Sequence, residues 1–157
     1  MADSTDMQLL EDYAARDSQE AFAELVRRHV NLVYSVAVRH VGNPDSAQDI
    51  TQAVFILLAQ KAPSLSQKTI LSGWLYQTAR LTSASFLRGE MRRQRREQEA
   101  FMESTLDTSG PDELWAQLAP ALDEAMGRLG QKERNAVLLR FFEGKSFPEV
   151  AASMDLK

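Results

Sequence analysis

The spacing of the apolar residues is the feature that most restricts how this chain of 157 residues can fold. Along every long segment, apolar side chains recur at intervals of three and four positions, which is the period of an amphipathic α-helix. Runs of alternating β-branched residues separated by hairpin turns, which would indicate strands, do not occur in the sequence. The sequence therefore predicts an all-α fold.

Capping signals predict the bounds of the first two helices. Thr5 is the expected N-cap of a short first helix. A second helix is expected to begin near Asp17, where Glu20 completes a capping box, and to end at Gly42.

Similar signals predict the next two helices. Asn43 and Pro44 supply an N-cap and a first-turn proline for a third helix, which is expected to reach about Ala62. A polar loop follows. Ser72 is the expected N-cap of a fourth helix that begins at Gly73 and continues into a run of arginines.

Composition divides the chain into two helical units. Residues 97–111 are mostly acidic or small and include Gly and Pro, which is typical of a flexible linker. The sequence therefore predicts two small helical domains, over residues 1–96 and 112–157. The second is expected to contain helices over about 112–129 and 131–143 and a short capped helix opening at Ser146. It is thus expected to be a partial helix-turn-helix that lacks its recognition helix.

Basic residues are concentrated in one segment of an acidic chain. The formal net charge is −4, from 18 Lys and Arg against 22 Asp and Glu. Between Arg80 and Arg96, six arginines stand against one acid, Glu90, so this segment carries +5 and the remainder −9. Such a patch favours nucleic acid as a partner, although cations at a solvated helix end are the alternative. The six are Arg80, Arg88, Arg92, Arg93, Arg95 and Arg96.

One face of the third helix is unusually apolar for a solvated surface. Stepping 100° per residue places Asp49, Gln52 and Ile56 on the side opposite the core stripe, with Phe55 on its flank. A mixture of carboxylate, amide and apolar groups is typical of a docking surface. The alternative is that Ile56 and Phe55 pack on a neighbouring helix of the same chain.

Several classes of chemistry are not expected. The chain has no cysteine, so it has no disulfide, thiolate metal site or thiol nucleophile. His29 and His40 are about 16 Å apart along one helix, too far to share a metal ion. No catalytic residue, metal or cofactor is predicted. No apolar run could span a bilayer and the start has no secretory pattern, so we expect a cytoplasmic protein without membrane insertion.

These features, in this order, resemble a bacterial RNA polymerase sigma factor of the extracytoplasmic-function (ECF) type in the sigma-70 family. The resemblance is strongest from Gly42 to Phe55, which matches the family's spacing of glycine, proline, alanine, aspartate, glutamine and phenylalanine. The segment Trp74–Arg80 is similar to the start of the promoter-melting helix of the family, and Arg134–Ala151 is similar to the first part of domain 4.

The resemblance implies partners for both surfaces. The third-helix motif would dock on the clamp helices of core RNA polymerase through Asp49, Gln52, Phe55 and Ile56. The loop from Pro63 to Ser72 and the helix after it would engage the −10 element of promoter DNA, with an unstacked base held in the loop. An anti-sigma factor is a further partner that the resemblance admits. The implied DNA-binding residues are Gln67, Lys68, Thr69, Trp74 and the six arginines named above.

The sequence therefore predicts a non-catalytic promoter-specificity subunit that recruits core polymerase and assists −10 melting. One alternative is a helix-turn-helix regulator that binds duplex DNA as a dimer without contacting the polymerase core. Another is an all-helical interaction module whose arginines contact an acidic protein. The Asp49, Gln52 and Ile56 face together with Trp74 discriminates among them, because a duplex-only regulator needs neither.

Overall fold

A computed structural model of the protein describes residues 4–100 and 121–154, with side chains as far as residue 96 in the first range. Every regular element in these two ranges is helical, which confirms the predicted all-α fold. Within the described part of the chain, no helix is long and apolar enough to cross a membrane.

The first helix, α1 (Asp6–Arg16), has the predicted N-cap. The Thr5 hydroxyl accepts from the Gln8 amide at 3.2 Å, and the Gln8 side chain accepts from the Thr5 amide at 2.8 Å. This capping box satisfies two backbone donors that the helix leaves without partners. The chain leaves α1 through Asp17, which has a left-handed backbone with φ of 55°.

The second helix, α2 (Gln19–Val41), begins later than predicted. Asp17 ends α1 and is not the N-cap of α2, so the expected capping box with Glu20 is wrong. The Ser18 hydroxyl instead accepts from the Ala21 amide at 3.2 Å. The predicted end at Gly42 is confirmed, because this glycine takes the left-handed conformation with φ of 67° that closes many helices.

The third helix, α3 (Pro44–Lys61), agrees with the prediction at both ends. The Asn43 side chain accepts from the amides of Asp45 and Ser46 at 2.8 and 3.2 Å. One turn of 3₁₀ helix (Ala62–Ser64) follows α3.

The fourth helix, α4 (Leu71–Ala100), begins before the predicted N-cap. Ser72 lies inside its first turn with only 1% of its surface exposed, so it does not cap the helix. Its hydroxyl donates to Glu143 Oε2 at 2.8 Å. The helix continues through residues 97–100, the first four of the predicted linker, whereas residues 101–111 lie outside the described residues.

The core of the first range lies where α1, α2, α3 and α4 meet, and each contributes an apolar stripe to it. On the core side of α3, Leu57 is half-buried, and the fully buried residues are Ala47, Ile50, Val54 and Leu58. Burial of these stripes is the main stabilising contribution to a helical fold of this kind. The largest fully buried apolar side chains are Leu9, Leu10, Leu25, Val33, Val36, Val54, Leu58 and Leu75.

The second range packs against the first. It contains helical residues 121–128 (α5), α6 (Gln131–Val137), one π-helical turn (Leu138–Phe142) and α7 (Phe147–Ser153). The helix predicted over 112–129 is confirmed for residues 121–128, and residues 112–120 lie outside the described residues. The helix predicted over 131–143 therefore changes from α to π geometry part-way along. The capped helix at Ser146 is confirmed, since Ser146 and Glu149 form a capping box. Leu138 joins the core cluster of the first range.

Candidate protein and nucleic-acid interfaces

The exposed face of α3 has three of the four predicted docking residues. Asp49, Gln52 and Ile56 are exposed, and we call them the α3 face. Ile56 leaves 51% of its surface accessible. Phe55 differs, because only 7% of its surface is exposed and it belongs to the core cluster. The alternative interpretation was that both side chains pack within the protein. This is correct for Phe55 and wrong for Ile56.

An open groove of about 590 Å³ runs between α2 and α3, and we call it the α2–α3 groove. Gln52, Phe55 and Ile56 form part of its α3 wall, so the inner edge of the α3 face continues into it. Its lining is mostly apolar, with amide groups at the edge. The α2 wall is formed by Phe22, Val26, Val30, Asn31 and Tyr34.

Sequence reasoning did not identify the α2 wall as part of a binding surface. Phe22 and Val26 are only partly buried and line the groove. A signal was present, because Phe22, Val26, Val30 and Tyr34 recur at intervals of four. This second row lies beside the apolar residues that face the core. The apolar side of α2 is therefore wider than a helix needs for packing against a single neighbouring helix.

The loop before α4 forms one wall of a cavity of about 460 Å³, which we call the loop cavity. Lys68, Thr69 and Trp74, three of the predicted DNA-binding residues, line it together. Gln67 lies apart from them and lines a smaller cavity against α1. The loop turns at Ser66, whose hydroxyl accepts from the Lys68 amide at 3.1 Å and whose carbonyl accepts from the Thr69 amide at 3.0 Å.

The six predicted DNA-binding arginines separate into two groups. Five are exposed along the second half of α4, and one of these, Arg93, is paired with Glu90. Arg80 is half-buried beside Gly127 of α5 and donates to Gln77 Oε1 at 3.4 Å. Arg80 therefore does not lie with the exposed group. The exposed arginines other than Arg93 share one side of the helix and form what we call the arginine face: Arg88, Arg92, Arg95 and Arg96.

A buried carboxylate that sequence reasoning missed links the two ranges. Asp123 of α5 is 5% exposed. Its side chain lies 3.2 Å from Arg39 Nη2 and 3.4 Å from His40 Nδ1 on α2, and it accepts from the Tyr76 hydroxyl of α4 at 3.2 Å. Burial, together with the charge of Asp123, raises the pKa of Tyr76 to about 12. Nothing local in the sequence distinguishes Asp123 from the other acids near it.

The two histidines have separate partners. His29 is buried and its Nε2 lies 2.8 Å from Asp6 Oδ2, which attaches α1 to α2. His40 lies beside Asp123. Burial alone would raise the pKa of Asp6, but the hydrogen bonds and charges of His29 and Arg28 outweigh it and lower that pKa below its usual value. Among the described residues, no group of three or more His, Cys, Asp or Glu could hold a metal ion.

Comparison with known proteins identifies the family of this chain. The family models for Sigma-70 region 2 and for Sigma-70, region 4 match residues 25–93 and 120–157. Over 138 residues the chain is 31% identical to the RNA polymerase sigma factor CarQ of Myxococcus xanthus, covering 86% of this chain and 77% of CarQ. The chain belongs to the sigma-70 family. Sigma-70 proteins are transcription initiation factors.

Further relatives place it among sigma factors of the ECF type. It is 33% identical over 152 residues to the ECF RNA polymerase sigma factor SigE of Mycolicibacterium smegmatis, covering 93% of this chain. The chain spans 56% of the length of SigE. Among solved structures it is similar to the sigma factor RpoE in complex with the anti-sigma factor NepR from Bartonella quintana, with a TM-score of 0.47, 20% identity, and coverage of 87% of this chain and 84% of that one.

The region 2 match contains most of the candidate surfaces of this sigma-70 protein. It spans the α3 face, the loop and the part of α4 that carries the first exposed arginines. Arg95 and Arg96 lie beyond its end, and α5, α6 and α7 fall within the region 4 match.

Proposed function

We propose that this protein is a promoter-specificity subunit, without catalytic activity of its own, that binds core RNA polymerase and engages the −10 region of promoter DNA. Membership of the sigma-70 family supports this function over a helix-turn-helix regulator that never contacts the polymerase core. The observation that carries the proposal is an exposed isoleucine beside an apolar groove, in the same helical unit as an aromatic-lined loop cavity and a row of exposed arginines.

The α2–α3 groove has the properties expected of a surface that receives a helical partner. Its floor is apolar, and Gln52 and Asp49 lie on the polar side next to Ile56. An amphipathic helix bound there would bury the exposed half of Ile56, and its polar groups would pair with the amide and carboxylate. The clamp helices of core RNA polymerase are the partner that we assign to this surface.

The loop cavity is suited to binding a base of single-stranded DNA, and the arginine face is suited to binding the phosphate backbone. Trp74 offers an aromatic surface for an unstacked base, and Lys68 and Thr69 offer polar groups beside it. The arginine face would hold the backbone without specifying sequence. Arg80, Arg93 and Gln67 remain in the proposed DNA-binding set, but their positions make them secondary contributors.

We also propose the division into domains over residues 1–96 and 112–157, with a linker over 97–111. The two family matches lie on either side of that linker, which supports the division. Core polymerase and promoter DNA as partners imply that the protein works in the cytoplasm. Family membership supports an anti-sigma factor as a further partner.

Charge reversal on the α3 face tests the polymerase contact. Asp49→Arg should reduce capture of core RNA polymerase by the tagged protein about tenfold or more, because it places a cation in the interface. The free energy of unfolding should change by about 0.5 kcal/mol or less, since Asp49 is exposed. Glu11→Arg makes the same charge change on an exposed residue of α1 and should leave capture unchanged. Equal capture by both variants would contradict the assignment of this surface.

A further inference from the structure

A groove between α3 and α4 is separate from both the α2–α3 groove and the loop cavity. Its volume is about 520 Å³, and we call it the α3–α4 groove. Three apolar residues and three hydroxyl residues line it. They are Leu57 of α3, and Leu81, Phe86, Thr78, Thr82 and Ser85 of α4. The groove therefore offers a small apolar surface with hydroxyl groups beside it.

The side chains of the α3–α4 groove are available to a ligand. Leu81 leaves 61% of its surface exposed, whereas Leu57 and Phe86 are partly buried and form the deeper part of the apolar lining. The three hydroxyls have no hydrogen-bond partner among the residues that the structure describes. A ligand with an apolar edge and polar atoms beside it could therefore contact both kinds of group.

The α3–α4 groove lies on the same side of α4 as the two proposed DNA contacts. Counting about 100° per residue from Trp74, Leu81 and Ser85 fall within about 20° of its direction, and the arginine face falls within about 60°. Leu81 is also midway along the helix, about 10 Å beyond Trp74 and about 10 Å before Arg88. A strand that runs along this side from the loop cavity to the arginine face passes over Leu81.

The charges next to the α3–α4 groove favour a nucleic-acid strand over an apolar peptide as its occupant. The arginine face begins at Arg88, less than one turn beyond Ser85. Glu90 is the only acid of α4 as far as residue 96, and it is paired with Arg93. A base in the groove would therefore have its backbone phosphate beside cations, whereas an apolar peptide would leave both the cations and the hydroxyls without partners.

We propose that the α3–α4 groove is a second base-binding site, which takes a thymine of the single strand and contacts its methyl group through Leu81. Thymine is the base that carries a methyl group on its edge, and apolar side chains recognise that group, while Ser and Thr hydroxyls can bind polar atoms of a base. The inference rests on the DNA-binding role proposed above for α4. The thymine would lie about three nucleotides from the base in the loop cavity, at about 3.4 Å per nucleotide.

Replacement of thymine by uracil tests the methyl contact, because the two bases differ only in that group. The probes are fluorescently labelled oligo(dT) and oligo(dU) strands of equal length. The complex of the protein with core polymerase should bind oligo(dT) about fourfold more tightly, which is the effect expected from burying one methyl group. Fluorescence anisotropy gives the two Kd values, and core polymerase alone gives the background for each strand.

Two matched variants test whether Leu81 makes this contact. Leu81→Ala should reduce the preference for oligo(dT) to near one, while its capture of core polymerase stays unchanged. Met91→Ala is the control, because Met91 is an apolar residue of the same helix with a similar exposure of 63%, and it points about 100° away from the direction of Trp74. This variant should keep the fourfold preference. Both variants should remain folded, since both residues are exposed.

The possible failures can be told apart. Equal binding of the two strands by the wild-type complex would overturn thymine recognition, and a preference that persists in Leu81→Ala would overturn the assignment of the groove. Loss of polymerase capture in Leu81→Ala would mean that the groove receives a protein, which would also overturn the proposal. If neither strand bound above the level of core polymerase alone, the DNA-binding role of α4 would itself be refuted, and this inference with it.

Discussion

Phe55 and Ile56 are adjacent on α3, but substitution of Phe55 should mainly reduce stability, whereas substitution of Ile56 should mainly reduce binding to core polymerase. Full burial of an isoleucine side chain contributes about 1.5–3 kcal/mol, and Ile56 is about half exposed, so Ile56→Ala should lower the free energy of unfolding by only about 1 kcal/mol. Phe55 is 7% exposed within the core cluster. Phe55→Ala should therefore cost about 3–5 kcal/mol, a large part of the total stability of a small domain.

The binding energies should follow the reverse order. If Ile56 enters the interface with core polymerase, its truncation removes a buried anchor, for which a loss of about 2 kcal/mol or roughly thirtyfold in Kd is typical. Phe55→Leu, which keeps the core largely filled, should retain most of the binding. Urea unfolding followed by circular dichroism gives the stabilities, and fluorescence anisotropy with labelled protein and core polymerase gives the Kd values.

The result that would refute this reasoning is specific. A loss of stability near 3 kcal/mol in Ile56→Ala would mean that Ile56 is packed inside the protein. Undiminished binding by a folded Ile56→Ala variant would mean that the partner does not use the α2–α3 groove.

Two further predictions concern the DNA-binding residues and the first helix. Alanine at Gln67, Lys68 and Thr69 should weaken binding to the matched −10 strand by about 1–3 kcal/mol while the salt dependence of binding stays unchanged. Neutralising the arginine face should instead lower the salt slope by about one per phosphate contact and keep the sequence preference. Equal losses of affinity for matched and scrambled strands in the loop variant would contradict base capture. The pKa of Asp6 is lowered in the folded protein, so the unfolded state binds more protons in acid. The stabilising contribution of Asp6 is therefore present above its unfolded pKa of about 3.9 and disappears as the pH falls through the lower folded pKa. Thermal unfolding between pH 6 and pH 3 should therefore show a steeper loss of stability in the wild type than in Asp6→Asn, and parallel profiles would contradict the Asp6–His29 contact.

The helix bounds that the sequence predicts well are those set by neighbouring residues. Thr5, Gly42 and Asn43 act on backbone groups within four positions of themselves, so their effect can be judged without knowing the rest of the fold. Asp17 was assigned wrongly because it and Ser18 are both good capping residues. The left-handed turn that ends α1 occupies Asp17 and leaves Ser18 to cap α2.

Features that depend on distant residues could not be predicted in this way. Ser72 has the chemistry of an N-cap, but its hydroxyl donates to Glu143, 71 positions away, and the helix begins before it. Asp123 contacts residues 47 and 84 positions away. The difference in burial between Phe55 and Ile56 is another example. Helical periodicity places Phe55 on the flank of the face that carries Ile56, and the packing of neighbouring helices decides whether such a flanking residue is covered.

The length of α4 fixes a distance between the two proposed DNA contacts. A continuous helix rises about 1.5 Å per residue, so the arginine face, from Arg88 to Arg96, begins about 21 Å and ends about 33 Å beyond Trp74. At about 3.4 Å per nucleotide along a duplex strand, this interval corresponds to about six to ten nucleotides. In the proposed function, α4 therefore keeps the two DNA contacts at a fixed separation. It sets how far from the captured base the backbone is held, and an insertion of three or four residues between these points would lengthen that distance while keeping the arginines on nearly the same side of the helix.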